Sequence, residues 1–488
     1  MQGKKQYQEK LFMSFQLSDH VPVDNFYRRL KELIDFKFLY NRTSSYYGKE
    51  GQKSVDPVVF MKLMLVGYLE NLNSDRRIVN TAKLRLDILY FLGYNLDEEL
   101  PWHSTLSRTR QLYGQEVFTD VFRSVLKQCI EKGMVAGRRQ AVDGVYVKAN
   151  ASLDSMVERE ILTDAANYSN ELDANQEEEN IPVRKIKKDK PRDYDQLEPK
   201  KNHSNKTHYS PSDPDAKISV KPGKATALNY LGQVSVDTAS HVITHIQAFE
   251  ANQRDSQCLP LVIENLVETL KQNGMCVEEI IADKGFSSGQ ALKALEENNI
   301  TGYIPNRGQY VHERVGFTYH EEGDYYSCPN NKNLTYKGTF ETLNGVFNKE
   351  YKVSRKECYE CPLSSTCSAY KKYATIIRET IDKPFYQRMH ERMQSKKAKI
   401  LMKKRQSTVE PVIGTLVNYT GMKKVNTKGL EQANKCMTLS AVAYNLKKLI
   451  NNKSILVQTK VQEMLQELKV AFNCLSDDLY TRGRSFLF

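Results

Sequence analysis

An acidic residue inside an apolar run constrains this chain more than any other feature of its sequence. Asp143 is flanked by Val142 and Val145 in the strand-like segment Gln140-Ala-Val-Asp-Gly-Val-Tyr-Val147. Because a carboxylate is costly to bury without a partner, a metal ligand is a good account of an acid at this position. Hard divalent cations such as Mg²⁺ prefer oxygen ligands. The segment therefore predicts a strand that delivers a metal-binding carboxylate.

The order of the elements after this strand predicts an α/β fold. Two alternating segments rich in β-branched residues, 227–237 and 241–249, predict an antiparallel hairpin. We expect a helix that begins at Asp255, then a strand that ends at Asp283, a helix and a last short strand. This order matches a ribonuclease-H-like mixed sheet flanked by helices. In such a core the first strand is central, and the strand that ends at the second acid lies beside it.

Other acids, and Asp283 itself, also have structural explanations. Asp237 lies at a strand end before a turn, and Asp255 resembles a helix cap. Asp283 precedes Gly285 by two residues and is equally consistent with a turn acid. One acid alone therefore carries little weight, whereas three in this element order carry more.

Glu410 is followed directly by Pro411. Proline costs about 3 kcal/mol in a helix interior but is tolerated in the first turn. We therefore expect a helix that begins near Thr408 or Val409, or a kink at that point. As a bare pattern, Glu410 is also consistent with a first-turn acid stabilised by the helix dipole.

Three segments carry a family resemblance: 141–152 around Asp143, 282–289 around Asp283 and 407–414 around Glu410. Together they resemble the acid-bearing motifs of bacterial insertion-sequence DDE transposases. The helical N-terminal part resembles the InsH-type N-terminal domain of that group. Two shorter segments also resemble recurrent segments of the family, Ser212-Asp-Pro-Asp-Ala216 and Ala443-Tyr-Asn-Leu-Lys-Lys448.

The resemblance implies that Asp143, Asp283 and Glu410 form the catalytic triad of a transposase. Such a site holds Mg²⁺, for which Mn²⁺ can substitute, cleaves phosphodiester bonds at the element ends and transfers the 3′-hydroxyl into target DNA. The implied partner is double-stranded DNA, both terminal inverted repeats and target, bound by a homodimer. Two alternatives stay open: a catalytically inactive transposase-derived DNA-binding regulator, and a ribonuclease-H-like nuclease that cuts without joining.

The segment around Glu410 departs from the family pattern. Many relatives place a Tyr, an Arg and a Lys around this Glu. Arg405 can serve as the Arg, but Met402 and Val417 occupy the positions where Tyr and Lys are expected. Nearby lysines can contact phosphates instead. We expect DNA contacts from Arg405, Lys403, Lys404, Arg388, Lys148 and Lys284.

Four of the nine cysteines lie between the last predicted core strand and the Glu410 segment. They are Cys328, Cys358, Cys361 and Cys367, and they include one Cys-x2-Cys pair. Four thiols with such a pair can hold a tetrahedral structural Zn²⁺. Because the spacing is irregular, reduced thiols in a small satellite fold are the alternative.

Composition sets the wider frame. At 488 residues the chain is too long for one core, and its net charge of +12 favours a polyanionic partner. No apolar run can span a bilayer and the N-terminus has no signal core, so we expect a cytoplasmic protein with no membrane partner. The chain has no Walker A loop and no dinucleotide fingerprint, which argues against ATP or NAD chemistry.

We expect five segments along the chain. The helical N-terminal segment is predicted either to bind DNA through helix-turn-helix-like helices with exposed arginines, such as Arg108 and Arg110, or to form a helical bundle for dimerisation. The segments are 1–118, the helical N-terminal domain; 119–306, the first part of the catalytic core, with a flexible insert at about 154–224; 307–384, the Cys-containing insertion; 385–451, the second part of the core; and 452–488, a helical tail.

Overall fold

The computed structural model describes the chain from residue 15 to residue 452 with several gaps. The described residues are 2, 5, 15–48, 50, 51, 54–158, 204–220, 225–307, 310, 314–342, 346–359, 361–371 and 374–452. Most of the predicted insert at 154–224 and nearly all of the predicted tail at 452–488 lie outside these residues. The expectation of a flexible insert is wrong for the described residues 204–220, because Lys217–Ser219 forms a strand that pairs with the strand Ala227–Asp237.

The fold is a mixture of helices and strands. The helices are α1 Leu17–His20, α2 Phe26–Leu33, α3 Phe38–Thr43, α4 Pro57–Leu69, α5 Asp75–Leu84, α6 Leu86–Leu92, α7 His103–Leu112, α8 Gln115–Glu131, α9 Asp255–Lys271, α10 Gly289–Glu297, α11 Arg355–Tyr359, α12 Lys383–Met393, α13 Lys396–Tyr419 and α14 Leu430–Ile450. The strands are β1 Arg139–Lys148, β2 Val157–Glu158, β3 His208–Tyr209, β4 Lys217–Ser219, β5 Ala227–Asp237, β6 Ile243–Glu250, β7 Glu279–Ile281, β8 Thr301–Tyr303, β9 Thr318–His320, β10 Tyr325–Ser327, β11 Asn333–Glu341, β12 Phe347–Lys352, β13 Tyr370–Lys371 and β14 Ala374–Thr380.

The first sheet has β1 near its centre. Its order is β4-β5-β1-β7-β8, and β6 also pairs with β5. β1 runs antiparallel to β5 and parallel to β7, with Ala141 opposite Ile281. The predicted hairpin is confirmed, since β5 and β6 are antiparallel neighbours. The predicted neighbour relation between the Asp143 strand and the Asp283 strand is confirmed as well.

The N-terminal helices begin where the sequence predicts. The Asp56 side chain accepts hydrogen bonds from the amides of Val58 and Val59, and Pro57 is the first residue of α4. The buried apolar side chains of these helices continue without a break into those of the first sheet and α14. One expectation is wrong: Arg110 is buried and forms an ion pair with Asp75, because α5 and α7 pack together.

Helix α14 covers the outer edge of β6 with two asparagine side chains. Asn445 donates to the Ile243 carbonyl at 2.8 Å and accepts from its amide at 2.9 Å. Asn434 makes the same pair of contacts with Ala248. Eleven helical residues and five strand residues each span about 16 Å. The spacing of the two asparagines therefore matches the strand edge that they satisfy.

The segment that resembles a family motif at 212–216 anchors the start of α14. Buried Asp213 accepts hydrogen bonds from the Tyr230 hydroxyl and from the Gly429 amide. Asp215 accepts from the Leu430 amide at 2.9 Å. Negative side chains at a helix N-terminus satisfy amides that lack an intrahelical partner. These contacts fix the helix against the sheet.

A second sheet, which the sequence reading did not predict, lies in the Cys-containing segment. Its order is β13-β14-β12-β11-β10-β9, and all of its pairings are antiparallel. It has a small core of its own, built from Tyr326, Leu334, Tyr351, Val353, Cys358, Ala369 and Ile377. Among the described residues, no helix is long and apolar enough to cross a membrane.

Candidate active site

Asp143 lies in the middle of β1 and faces a buried arginine. Its Oδ2 atom is 3.0 Å from Nη1 of Arg405, and its Oδ1 atom accepts a hydrogen bond from the Gly144 amide. Burial raises the pKa of the Asp143 carboxyl, and Asp283 raises it further, while Arg405 and the Gly144 amide oppose the shift. The carboxylate is therefore held at a cost that a cation would relieve.

Asp283 follows the neighbouring strand, β7, by two residues. Ala141 pairs with Ile281 in the parallel register, and each acid is two residues further along its own strand direction. Adjacent strands are about 4.8 Å apart. Asp283 also accepts a hydrogen bond from the Gly285 amide at 2.7 Å, so it has the turn role that the sequence suggested. It is both a turn acid and a neighbour of the first acid.

Glu410 joins this pair from α13. Its Oε1 atom is 3.7 Å from Nη2 of Arg405, and its side chain is 56% exposed. The expectation of a helix start near Thr408 is wrong, because α13 runs continuously from Lys396 to Tyr419 with Pro411 inside it. Pro411 has no amide hydrogen, so the helix gives up one backbone hydrogen bond beside Glu410. Burial of one face of this helix against β1 and β5 offsets that loss.

Arg405 connects two of the three acids. Its guanidinium contacts both Asp143 and Glu410, and its side chain is only 8% exposed. Its Nε atom is buried without a hydrogen-bond partner among the described residues. The guanidinium thus supplies the positive charge between carboxylates that a divalent cation would otherwise supply. Arg405 faces inward and is poorly placed to contact DNA in this conformation.

The donor chemistry of the three acids suits Mg²⁺ or Mn²⁺, both of which bind carboxylate oxygens. In the part of the chain that the structure describes, no three His, Cys, Asp or Glu side chains are already arranged around one ion position. A cation at this site therefore requires Arg405 to move away from Asp143 and the carboxylates to close up. The three side chains supply carboxylate oxygens and negative charge, and both properties fit a divalent cation.

The exposed residues of α13 that precede Glu410 include several lysines. Lys396, Lys399, Lys403 and Lys404 are exposed, and their three- and four-residue spacings place most of them on the side of the helix that carries Glu410. Lys148 and Lys284 are exposed as well. By contrast, Arg388 forms a two-point ion pair with Glu296, at 2.6 and 2.9 Å. Among the predicted DNA contacts, the lysines are the available ones.

The four predicted zinc ligands line one cavity of about 340 Å³ beside the second sheet. Cys358 is buried and lies 3.1 Å from the Thr375 hydroxyl. The Cys328 sulfur accepts from the Lys332 amide, and the Cys361 sulfur accepts from Asn330. The thiols converge on a shared space, but no three of them lie at metal-holding distances in the described structure.

Sequence reasoning underestimated Asp255. It assigned this residue to a helix cap, but the N-cap of α9 is Arg254, whose amide donates to the Gln257 side chain. The Asp255 carboxylate instead accepts from Gln233 at 2.6 Å and lies beside Gly144 and Gly285. The sequence did contain a signal for this contact. Gly144 and Gly285 follow the two aspartates closely, and a glycine often marks a place where another group approaches the backbone.

Two family models match parts of this chain. One family model, described as a transposase domain (DUF772), matches residues 15–112. A second, described as a transposase DDE domain, matches residues 327–450, which include Glu410. Both matches support an insertion-sequence DDE transposase, and neither covers residues 113–326. Asp143 and Asp283 lie outside both matched segments.

Solved structures give only weak likeness to this DDE transposase. They include a Mos1 transposase paired-end complex with the left transposon end, at 9% identity and a TM-score of 0.16, over 54% of this chain and 64% of that one. They also include a piggyBac transposase synaptic complex with hairpin DNA, at 11% identity and a TM-score of 0.23, over 88% and 81%. The chain spans less than two thirds of the Mos1 chain. No curated protein matches.

Proposed function

We propose that this DDE transposase cleaves phosphodiester bonds at the ends of its element and transfers the freed 3′-hydroxyl into target DNA. The observations that carry the proposal are the parallel pairing of β1 with β7, the strand that precedes Asp283, and the contacts of Arg405 with both Asp143 and Glu410. The sheet order, with a central first strand between an antiparallel and a parallel neighbour, supports a ribonuclease-H-like catalytic core. DNA, both end repeats and target, is the proposed substrate.

Asp143, Asp283 and Glu410 would hold Mg²⁺, with Mn²⁺ as a substitute. Such ions lower the pKa of a bound water and stabilise the attacking and leaving oxygens of a phosphodiester. Arg405 balances the charge of Asp143 and Glu410 until a cation replaces it. The exposed lysines of α13 neutralise phosphates next to Glu410 and orient the strand. A homodimer that pairs two ends suits this chemistry.

The test is cleavage and joining of a labelled end by Asp143→Asn, Asp283→Asn and Glu410→Gln. Each variant is expected to lose at least about a hundredfold in cleavage rate, the scale seen when one key electrostatic group is removed. Each should retain DNA binding, since the lysines are untouched. Glu264→Gln, which changes an exposed acid on α9, is the matched control. Near-normal cleavage by any triad variant removes that residue from the mechanism.

Pre-cut ends separate the alternatives. A nuclease that cuts without joining leaves a supplied 3′-hydroxyl unreacted in the presence of Mg²⁺ or Mn²⁺. A DNA-binding regulator binds the ends but neither nicks nor joins them. Joining of pre-cut ends by the wild-type protein, lost in Asp143→Asn, supports transposition over both.

We also propose that the chain divides as its sequence suggests, into 1–118, 119–306, 307–384, 385–451 and 452–488. The first segment would bind DNA or dimerise, and exposed Arg76, Arg77 and Arg108 are its available cations. Helix α8 (Gln115–Glu131) crosses the first boundary, so the first segment is packed onto the core rather than tethered to it.

A structural Zn²⁺ held by Cys328, Cys358, Cys361 and Cys367 is proposed for the second sheet. The support is their convergence on one cavity next to a core that comprises seven buried apolar residues in the described part of this segment. Small cores of this kind are commonly reinforced by a metal. Thiolates at these four positions would close a tetrahedral, non-catalytic site.

A further inference from the structure

The Asp255 carboxylate lies between the two strand segments that carry Asp143 and Asp283. A Cβ atom added at Gly144 would overlap Asp255 Oδ1, and one added at Gly285 would lie 3.2 Å from Asp255 Oδ2 and 2.9 Å from Asp283 Oδ1. Gly144 follows Asp143 directly, and Gly285 follows Asp283 by two residues. Both positions therefore need glycine so that the Asp255 carboxylate can approach the acid-bearing backbones.

Gln233 holds this carboxylate in place. It lies on β5 opposite Gly144, is fully buried, and donates from Nε2 to Asp255 Oδ1 at 2.6 Å. Its Oε1 atom is buried without a hydrogen-bond partner among the described residues. An unpartnered buried amide oxygen costs about 1–3 kcal/mol. It is an oxygen acceptor that a hydrated cation could satisfy.

A helix-capping role does not explain this arrangement. The amide of Arg254, the N-cap of α9, is bound by the Gln257 side chain, and Asp255 lies one residue further on. Carboxylates that share a site repel one another and raise each other's pKa unless a cation lies among them. The Asp255 carboxylate lies against the backbone at Gly144 and, beside the Asp283 carboxylate, at Gly285, whereas the arginine partner contacts Asp143 and Glu410.

We propose that Asp255 is a fourth carboxylate of the divalent-cation site, with Gln233 as the residue that positions it. This inference rests on the proposed function, because it adds a ligand to the same site. Helix α9 would then contribute to the site together with β1, β7 and α13. Gly144 and Gly285 would also belong to the site, because the absence of a side chain at these positions leaves room for the Asp255 carboxylate.

Binding of Mn²⁺ to the DNA-free protein tests the proposal without any catalytic readout. Calorimetry or the electron paramagnetic resonance signal of free Mn²⁺ would compare wild type, Asp255→Asn and the α9 control Glu264→Gln. Asp255→Asn is expected to weaken Mn²⁺ binding by about 10- to 100-fold, the range found when groups that bind or orient metal ligands are removed. Glu264→Gln should bind Mn²⁺ as the wild type does. Wild-type affinity in Asp255→Asn overturns the proposal.

A second variant separates loss of the carboxylate from misfolding. Gly144→Ala keeps Asp255 but displaces its carboxylate, so it should reproduce the Mn²⁺ defect. Thermal unfolding in EDTA should show that Asp255→Asn remains folded, because the change removes repulsion between acids. If Gly144→Ala binds Mn²⁺ normally while folded, the close approach has no part in metal binding and the proposal fails.

Failure of the proposed function has a different signature. In that case Asp143→Asn also leaves Mn²⁺ binding unchanged, and the wild-type protein neither cleaves nor joins end DNA. If Asp143→Asn abolishes Mn²⁺ binding while Asp255→Asn does not, the three-acid site stands and only the fourth carboxylate is rejected.

Discussion

The two sheets gather their candidate functional side chains in opposite ways. The first sheet brings together acids that are more than a hundred residues apart in sequence, because the β1–β7 register and α13 place them side by side. The second sheet draws four thiols from residues 328–367 to one cavity. Two of the acids already contact a cation, Arg405, whereas the thiols line a cavity and three of them form hydrogen bonds with neutral groups. Long-range register therefore builds the first site, and local chain folding builds the second.

The sheets also differ in how they are supported. The first belongs to a continuous core that extends from the N-terminal helices to α14. Among the described residues, the second has a separate core of seven buried apolar residues. If the proposed zinc site is present, the second sheet should depend on metal for its stability, whereas the first sheet should not. Five predictions test this difference between the two sheets, and they are given from the largest expected effect to the smallest.

Zinc removal is expected to have the largest effect. Structural zinc sites contribute on the order of 10 kcal/mol to the fold that they hold. Cys358→Ser with Cys361→Ser should release bound zinc and expose residues 318–380 to protease, while the first sheet stays protected. Cys276→Ser, an exposed cysteine elsewhere, is the control. Purified protein without zinc, yet with a protected second sheet, contradicts the prediction.

Matched Leu→Ala substitutions, one in each core, should show whether the two sheets unfold independently. Leu334 and Leu266 are both fully buried, one in each core. Leu→Ala in a core costs about 2–5 kcal/mol. Leu334→Ala is expected to raise hydrogen exchange only in the second sheet, and Leu266→Ala to lower the main thermal transition. A shared effect of both variants on both sheets would show that they unfold as one unit.

Arg405→Gln should destabilise the metal-free protein by about 3 kcal/mol, because loss of one partner leaves the buried Asp143 carboxylate uncompensated. Saturating Mn²⁺ should recover most of that loss, since the ion takes over the role of the guanidinium. Denaturant unfolding with and without Mn²⁺ measures both values. If Mn²⁺ stabilises wild type and variant equally, then Arg405 does not compete with metal.

Asn445→Ala should cost about 1–3 kcal/mol, the penalty for leaving buried backbone groups of Ile243 unpaired. Hydrogen exchange is expected to rise at β6 and not at β1. Asn418→Ala is the control, because that exposed side chain contacts only its own helix. Unchanged exchange at Ile243 would show that water replaces the asparagine without loss.

Asp143→Asn should have the smallest effect on stability, with a defined pH dependence. The pKa of Asp143 is raised in the folded protein, so ionisation opposes folding and wild-type stability falls as pH rises through that pKa. Asn removes this cost, so the metal-free variant should match wild type at acidic pH and melt no more than about 4 °C higher at neutral pH. A variant that is less stable at neutral pH contradicts the sign.

The sequence predicts the first sheet well because its strands alternate and end at turn residues. β1, the β5–β6 hairpin and α4 follow local rules. The prediction failed at Pro411, where burial of α13 overrides a local penalty of about 3 kcal/mol. It also failed for the second sheet, because β11 is mostly exposed and shows little apolar alternation. Asp255 was misread because its neighbours in space, Gly144 and Gly285, lie far from it in sequence, on β1 and beyond the end of β7.

The asparagines of α14 limit how two copies of this protein can associate. Asn434 and Asn445 occupy the backbone groups of Ala248 and Ile243 that a strand from another chain would need. Addition of a foreign strand beside β6 is therefore blocked from within the molecule. The homodimer proposed above would therefore have to associate through a surface other than this edge of the first sheet.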